Sequence, residues 1–170
     1  MKILVPVAAV CAALSVPALA SDVMAGTEMQ GFQEVPSVST KASGRLRLRI
    51  NGNNDFIDYK LTYSGLQGQV QQAHIHFAQT AVNGPIVIWL CGTSTIPGPD
   101  GTPTCPQSGT VTGHITAANV LASPTTQQLP AGGLSQMIGA MVGGAAYANV
   151  HTTLSPGGEM RGQIGPRDDE

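Results

Sequence analysis

The stretch Gly44-Arg45-Leu46-Arg47-Leu48-Arg49-Ile50 alternates polar and apolar residues without a break, and that period of two constrains the chain more than any other feature. A helix would scatter Leu46, Leu48 and Ile50 around its circumference. A strand sends all three to one face and the three arginines to the other. Asn51-Gly52-Asn53-Asn54-Asp55 is turn chemistry, and beyond it Ile57, Tyr59, Leu61 and Tyr63 share a face opposite Asp58 and Lys60. The two runs read as an antiparallel hairpin with one side in a core and one in water. A ligand-binding stripe is one reading of the arginines; cross-strand pairing with Asp55 and Asp58 is the other, and it needs no chemistry.

Further strands are expected over Val70 to Ala78, Ile86 to Leu90 and Thr110 to Ile115, with closing strands over Ala145 to Thr153 and Met160 to Ile164. The apolar run Ile86-Val87-Ile88-Trp89-Leu90 follows the turn Asn83-Gly84-Pro85 and reads as a central strand covered on both faces, with Trp89 in the core rather than at a binding site. Thr116 offers an N-cap to Ala117 to Leu121, and Leu134, Met137, Ile138 and Met141 recur at helical spacing up to Gly143-Gly144. Met137 and Met141 have the softness of copper ligands, but a helix face packed on a sheet accounts for their spacing more simply. With 21 glycines, 12 prolines, 42% hydrophobic and only 11% charged residues in 170, the chain has the makings of one turn-rich domain with a sizeable core. The expected fold is therefore all-β: an antiparallel Greek-key β-sandwich or flattened barrel, with one or two short helices inserted before the last strands.

A net charge of −2 and only eight Lys/Arg argue against nucleic acid or an anionic membrane as partner. Lys2, the apolar run from Ile3 to Leu14 and Ala18-Leu19-Ala20 read as a signal peptide, residues 1–20, cut before Ser21. The apolar run is too short to span a bilayer, so the mature chain is expected to carry no membrane span. Export to the periplasm or beyond the cell follows, with a domain over 21–165 and an acidic tail over 166–170. Cys11 leaves with the peptide, and Cys91 and Cys105 remain. In an exported chain they form one disulfide most simply, closing the Gly92 to Pro106 excursion at a gain of roughly 3 kcal/mol; two free thiols, or thiolate metal ligands, are the alternatives.

The candidate chemistry lies in the histidines. In Ala73-His74-Ile75-His76-Phe77 both rings leave one face of a strand while the apolar trio takes the other, with the two Cα atoms about 6 to 7 Å apart. Two imidazoles supply only part of a metal's shell, so another strand must complete it. Tyr147-Ala148-Asn149-Val150-His151 presents Tyr147, Asn149 and His151 on one face, and His114 is a candidate fourth ligand on the strand face away from Val111 and Ile115. Hydrogen-bonded structural histidines are the competing reading. Imidazole donors without a nearby Asp or free Cys exclude Mg and Ca and favour copper, as Cu(I) or Cu(II), with zinc as the alternative.

Several of these segments together resemble the CHRD domain family, named after its repeats in chordin and common as single exported domains in bacteria. The resemblance runs through Gly31-Phe32-Gln33-Glu34-Val35-Pro36, the Gly44 hairpin, Tyr59-Lys60-Leu61, Ala73-His74-Ile75-His76 and Val82-Asn83-Gly84-Pro85-Ile86-Val87. It continues through Gly113 to Ala118, Tyr147 to Thr152 and Pro156 to Gln163. It implies a β-sandwich resembling that of copper,zinc superoxide dismutase, with His74, His76 and His151 on the family's motif histidines. The Cys91 to Cys105 insertion and His114 depart from the family pattern. Glu159 and Arg161 also fall on motif positions, where a structural ion pair fixing the closing hairpin is expected ahead of a catalytic carboxylate with an anion guide.

Three functions are compatible with these features. The first is an exported metal-binding protein for copper binding, storage or tolerance, exchanging its ion with a copper-delivering or copper-accepting protein. The second is a copper redox enzyme of superoxide-dismutase type, which lacks a second cluster of His and Asp for a bridging zinc. The third is a metal-free structural or adhesive extracellular module. No Ser or Cys stands in the context of a hydrolytic nucleophile.

Overall fold

The computed structural model describes residues 20–168, so the expected signal peptide lies outside the described residues except for Ala20. The strands are β1 (Val23–Gln30), β2 (Ser43–Ile50), β3 (Ile57–Ser64), β4 (Val70–Phe77), β5 (Ile86–Cys91) and β6 (Gly109–Ile115). After helix α1 (Leu134–Val142) come β7 (Ala146–Thr152), β8 (Met160–Gln163) and the short β9 (Gly165–Pro166). They form a single antiparallel sheet in the order β5-β4-β7-β8-β1-β2-β3-β6, with β9 pairing β1. The sheet curls into a flattened, nearly closed barrel around one core, as expected for an all-β chain of this composition.

The β2–β3 hairpin has the register its alternation demands. Leu46 faces Leu61, Leu48 faces Tyr59 and Ile50 faces Ile57, all buried, while Arg49 faces Asp58 on the outside. The turn closes on Asn51, whose Oδ1 accepts from the backbone of Asp55 at 2.7 Å and Phe56 at 3.0 Å. Arg49 is paired with Asp58 and with Asp22, and Arg45 with Glu28, while Arg47 is exposed opposite Lys60, so the arginines are a solvated face with two of the three in ion pairs. Asp55 takes no part among these ion pairs.

The expectations for β5 need correction. Its hydrogen-bonding position is at one end of the sheet, not the centre, and it reads as covered because both its faces are packed. Val87, Ile88, Leu90 and Cys91 are buried in the barrel, while Trp89 points away from the core, against the excursion that follows the strand. That excursion runs over the outside of β5, and Gly98, at φ +71°, lets the backbone pass so close to the Trp89 ring that a Cβ would collide with it. The remaining gap between β5 and β6 is bridged from β3 and by a covalent link. Tyr59 donates its hydroxyl to the Leu90 carbonyl at 2.6 Å, Tyr63 donates to the Pro106 carbonyl at 2.6 Å, and Cys91 and Cys105 form a disulfide with Cα atoms 5.0 Å apart.

The helical insertion is a 3-10 turn at Ala117–Asn119 followed by α1, whose Leu134, Met137, Ile138 and Met141 are buried in the same core as the sheet. Both methionines thus pack as a helix face. The first strand, β1, has no counterpart among the expected strands; its Ala25, Thr27 and Met29 are buried, and it joins β2 to the closing strand β8. Pairing also extends past the expected domain end, since Pro166 faces Ala25 and the Arg167 N–H donates to the Met24 carbonyl at 3.0 Å.

Candidate metal centre

Strands β4 and β7 are neighbours in the sheet, and their register sets His74 opposite Asn149, His76 opposite Tyr147 and Gln72 opposite His151. On one face Ala73, Ile75, Ala148 and Val150 pack into the core. On the other stand His74, His76, Tyr147, Asn149 and His151. This outer face is not solvated: His74 is 0% exposed, His76 and His151 6% each, and Asn149 2%. The segment from Gly31 to Pro36, the turn between β4 and β5, and the turn at Pro156 to Gly158 lie over it, which is how the chain hides polar side chains on the outside of a barrel.

Those covering segments also orient the rings. His76 Nδ1 is 2.9 Å from the Gly84 carbonyl, and His151 Nδ1 is 2.9 Å from the Pro156 carbonyl. A carbonyl only accepts, so in each neutral ring Nδ1 carries the proton and Nε2 presents a lone pair. This is the arrangement by which a backbone carbonyl fixes the tautomer of a metal-binding histidine. His74 Nδ1 lies 3.3 Å from His151 Nε2, while its Nε2 is buried with no hydrogen-bond partner. Whichever nitrogen of His74 carries hydrogen, its Nε2 stays unpaired. Ligand nitrogens of the three rings lie within 4.8 Å of one another, a grouping that could hold a metal ion after a small inward movement of the rings. The buried, converging imidazoles thus fit a metal ion.

Burial keeps the rings neutral. Burial, with the neighbouring His151 and His76 adding to it, brings His74 down to about 2, and burial brings His76 to about 4; His151 is lowered for the same reason. No proton has to be displaced from them at neutral pH. The surrounding shell is rigid. Tyr147 stacks on His76 with ring centroids 4.6 Å apart, and the Arg161 guanidinium lies 3.3 Å above the other side of Tyr147. Trp89 stands edge-on to His74 at 4.3 Å. Arg161 donates to the Val82 carbonyl at 2.8 Å and to Asn83 Oδ1 at 3.1 Å, anchoring the turn that supplies Gly84.

Glu159 and Arg161 are not an ion pair, contrary to the sequence expectation. Glu159 stands just before β8 and turns away from Arg161 to accept from Thr40 Oγ1, Thr152 Oγ1 and the backbone N–H groups of Gln67 and Gly68, at 2.7 to 3.3 Å. Burial raises its pKa, but those four donors outweigh burial and leave it below the usual carboxylate value. Glu34 is the opposite case. Burial pushes it up to about 7 despite the pull of Arg161, and its Oε1 has no partner.

His114 does not join the cluster. Its place on β6 puts it opposite Asp58 on β3, where its Nδ1 lies 2.8 Å from Asp58 Oδ1 and its ring lies against Phe56, exposed to solvent. The parity that places it on an outer face is the same parity as the triad's, but the two faces belong to opposite ends of the sheet. Sequence reasoning put Asn149 on the ligand face without giving it a role; in the fold its Oδ1 is 2.9 Å from both His76 Nε2 and His151 Nε2.

An antiparallel barrel with a buried trio of imidazoles on its outer face is thus the class that fold and site define. The sequence profile of the CHRD domain matches residues 25–164, and the chain belongs to that family. No curated protein and no solved structure matches it.

Proposed function

We propose that this chain is an exported metal-binding protein that holds one copper ion on His74, His76 and His151, in copper binding, storage or tolerance. The observation that carries the reading is the set of three buried imidazoles with nitrogens within 4.8 Å of one another, two of them held by backbone carbonyls in the tautomer that frees Nε2. A set of imidazole donors suits copper and zinc, and copper forms the stronger complexes of the two. Near-complete burial favours holding an ion over turning over a substrate. The disulfide suits an oxidising compartment, the periplasm or the exterior. Among the described residues no helix is long and apolar enough to cross a membrane. A buried site of this kind exchanges its ion with a copper-delivering or copper-accepting protein at the loops that cover it.

The test is metal analysis and chelator-competition titration of the protein and four single variants. His74→Ala, His76→Ala and His151→Ala each weaken copper binding by at least about 100-fold, beyond the range for losing an outer-shell partner, while His114→Ala stays within twofold of the parent. Zinc at higher affinity than copper reassigns the metal. Unchanged binding in any two of the three triad variants removes the site.

A further inference from the structure

We infer that Asn149 is a fourth donor in this centre, its Oδ1 joining the three imidazoles, and that the resulting set of three nitrogens and one oxygen selects a divalent ion, Cu(II) or Zn(II), over Cu(I). The inference rests on the proposed metal site and specifies which ion it takes.

Four acceptor-capable atoms meet between β4 and β7: His74 Nδ1, His76 Nε2, His151 Nε2 and Asn149 Oδ1. The carbonyls of Gly84 and Pro156 take the Nδ1 protons of His76 and His151, so both Nε2 atoms are lone pairs, and each is 2.9 Å from Asn149 Oδ1. Oxygen and nitrogen lone pairs at that distance repel unless something positive lies between them. At most one hydrogen is available to the group, on His74 Nδ1, and it reaches His151 alone at 3.3 Å. One hydrogen cannot reconcile four lone-pair atoms; a cation held by all four does.

The amide end of Asn149 points the other way. Its Nδ2 and the Glu34 carboxylate crowd the same side of Gly158, a residue at φ +124° where any Cβ would strike both. The structure places Nδ2 on the Glu34 side and Oδ1 on the histidine side. Asn149 is also central in the fold, opposite His74 on β4 and opposite Arg161 on β8. An amide oxygen is a hard donor, and no sulfur joins the set, since Met137, Met141 and Met160 are all buried in the core on the opposite side of the sheet. Cu(I) is selected by thiolate and thioether, whereas imidazole with oxygen suits the divalent ions.

The experiment measures Cu(II), Zn(II) and, anaerobically with reductant, Cu(I) binding by chelator competition, for the parent, Asn149→Leu and Asn149→Asp, with EPR spectra of the Cu(II) forms. The parent binds Cu(II) and Zn(II) more tightly than Cu(I), and a parent that binds Cu(I) more tightly than both overturns the selectivity. Asn149→Leu lowers affinity for both divalent ions by about 100-fold or more, beyond the roughly 10- to 100-fold range for losing an outer-shell partner, and leaves Cu(I) within twofold. Asn149→Asp restores or tightens divalent binding and shifts the Cu(II) hyperfine pattern while nitrogen coupling from the imidazoles persists. Should the Leu variant fail to fold, the Asp variant decides alone: a spectrum identical to the parent's makes the amide a structural donor and overturns the inference. Divalent binding in Asn149→Leu equal to the parent's, or Cu(I) lost in parallel with Cu(II), also overturns it while leaving the triad intact. A parent that binds none of the three ions sinks the inference and the metal site together.

Discussion

Two outward-facing patches of this barrel are built from the same kinds of residue and behave oppositely. On β2, β3 and β6, Arg45, Arg49, Asp58 and His114 stand in solvent, each beside a partner that water can replace. On β4, β7 and β8, His74, His76, Asn149, His151 and Arg161 have the same outward parity but lie under loops, with exposures of 0 to 6%. A charge or ring in the first patch can be exchanged at little cost because water replaces the partner. In the second nothing replaces it, so each polar atom must be answered by a named group, and lone pairs left facing one another point to a ligand. Loops, not strand parity, make a site of an outer face.

The largest effect that sharpens this contrast is the pH dependence of stability without bound metal. Histidines kept neutral by burial bind fewer protons than the same residues at about 6.5 in the unfolded chain, so their contribution is complete above that value and is lost as pH falls toward their folded values, about 4 for His76 and about 2 for His74. Glu34 acts in the opposite sense. Held up at about 7, it adds stability below its ordinary value and loses it as pH rises toward 7. Between pH 6.5 and 4.5 three rings outweigh one carboxyl. Chemical denaturation of the metal-free protein should show stability falling on acidification, with roughly 1.4 kcal/mol per pH unit for each net proton. His76→Ala should flatten the slope and His114→Ala should not. Equal slopes in all three proteins would show that the buried patch is wet.

Next comes a comparison of two arginines. Arg161, itself buried, lies 3.3 Å from the Tyr147 ring and donates to Val82 and Asn83, and its removal leaves a gap against Tyr147 and takes two charge-assisted hydrogen bonds from the turn. Arg161→Leu should cost about 2 to 4 kcal/mol, read as a shift of the denaturation midpoint, and should loosen the Gly84 carbonyl that orients His76. Arg45→Leu, which removes a half-exposed partner of Glu28, should cost less than about 1 kcal/mol. A comparable loss at both positions would erase the distinction between the patches.

The sequence carried the parts of this architecture that local periodicity controls. The β2–β3 hairpin, the paired rings of His74 and His76 and the far strand with His151 follow from residues one or two places apart, and the hairpin register followed from alternation. What eluded it depends on long-range neighbours. Whether β5 is central or terminal is decided by the order of the strands, and an apolar run looks the same in either place. Trp89 was assigned to the core because the run around it is apolar, while its place opposite the outward-facing His74, in an irregular register, sends it outward under a loop whose path no local signal reveals. His114 and the triad share parity, and only the sheet order separates them. Arg161 on β8 and Glu159 just before it sit two residues apart, yet apart from Thr152 their side-chain hydrogen-bond partners lie about eighty to one hundred and twenty residues away along the chain, beyond any local pattern. Asn149 carries no motif; its meaning comes from two carbonyls, on other segments, that fix the protons of its neighbours.

The smallest effect is expected where the sequence offered a fourth histidine. Asp58 sits between His114 and Arg49 on the solvated patch, and the hydrogen bond from His114, then that from Arg49, keeps its carboxyl below the usual carboxylate value in spite of some burial. A depressed carboxyl stabilises the fold above its unfolded value near 3.9 and loses that contribution as pH falls through the folded one. Both partners are long or half-exposed side chains in water, so Asp58→Asn should shift the melting temperature slightly at low salt and hardly at all at high salt, where screening removes most of the attraction. Copper affinity should be untouched, because the nearest imidazole to Asp58 is the one outside the cluster. A melting temperature that falls as far as in Arg161→Leu, or a loss of copper in Asp58→Asn, would mean that the β3–β6 end of the sheet reports on the metal centre, and that the two patches are coupled through the barrel rather than set apart by it.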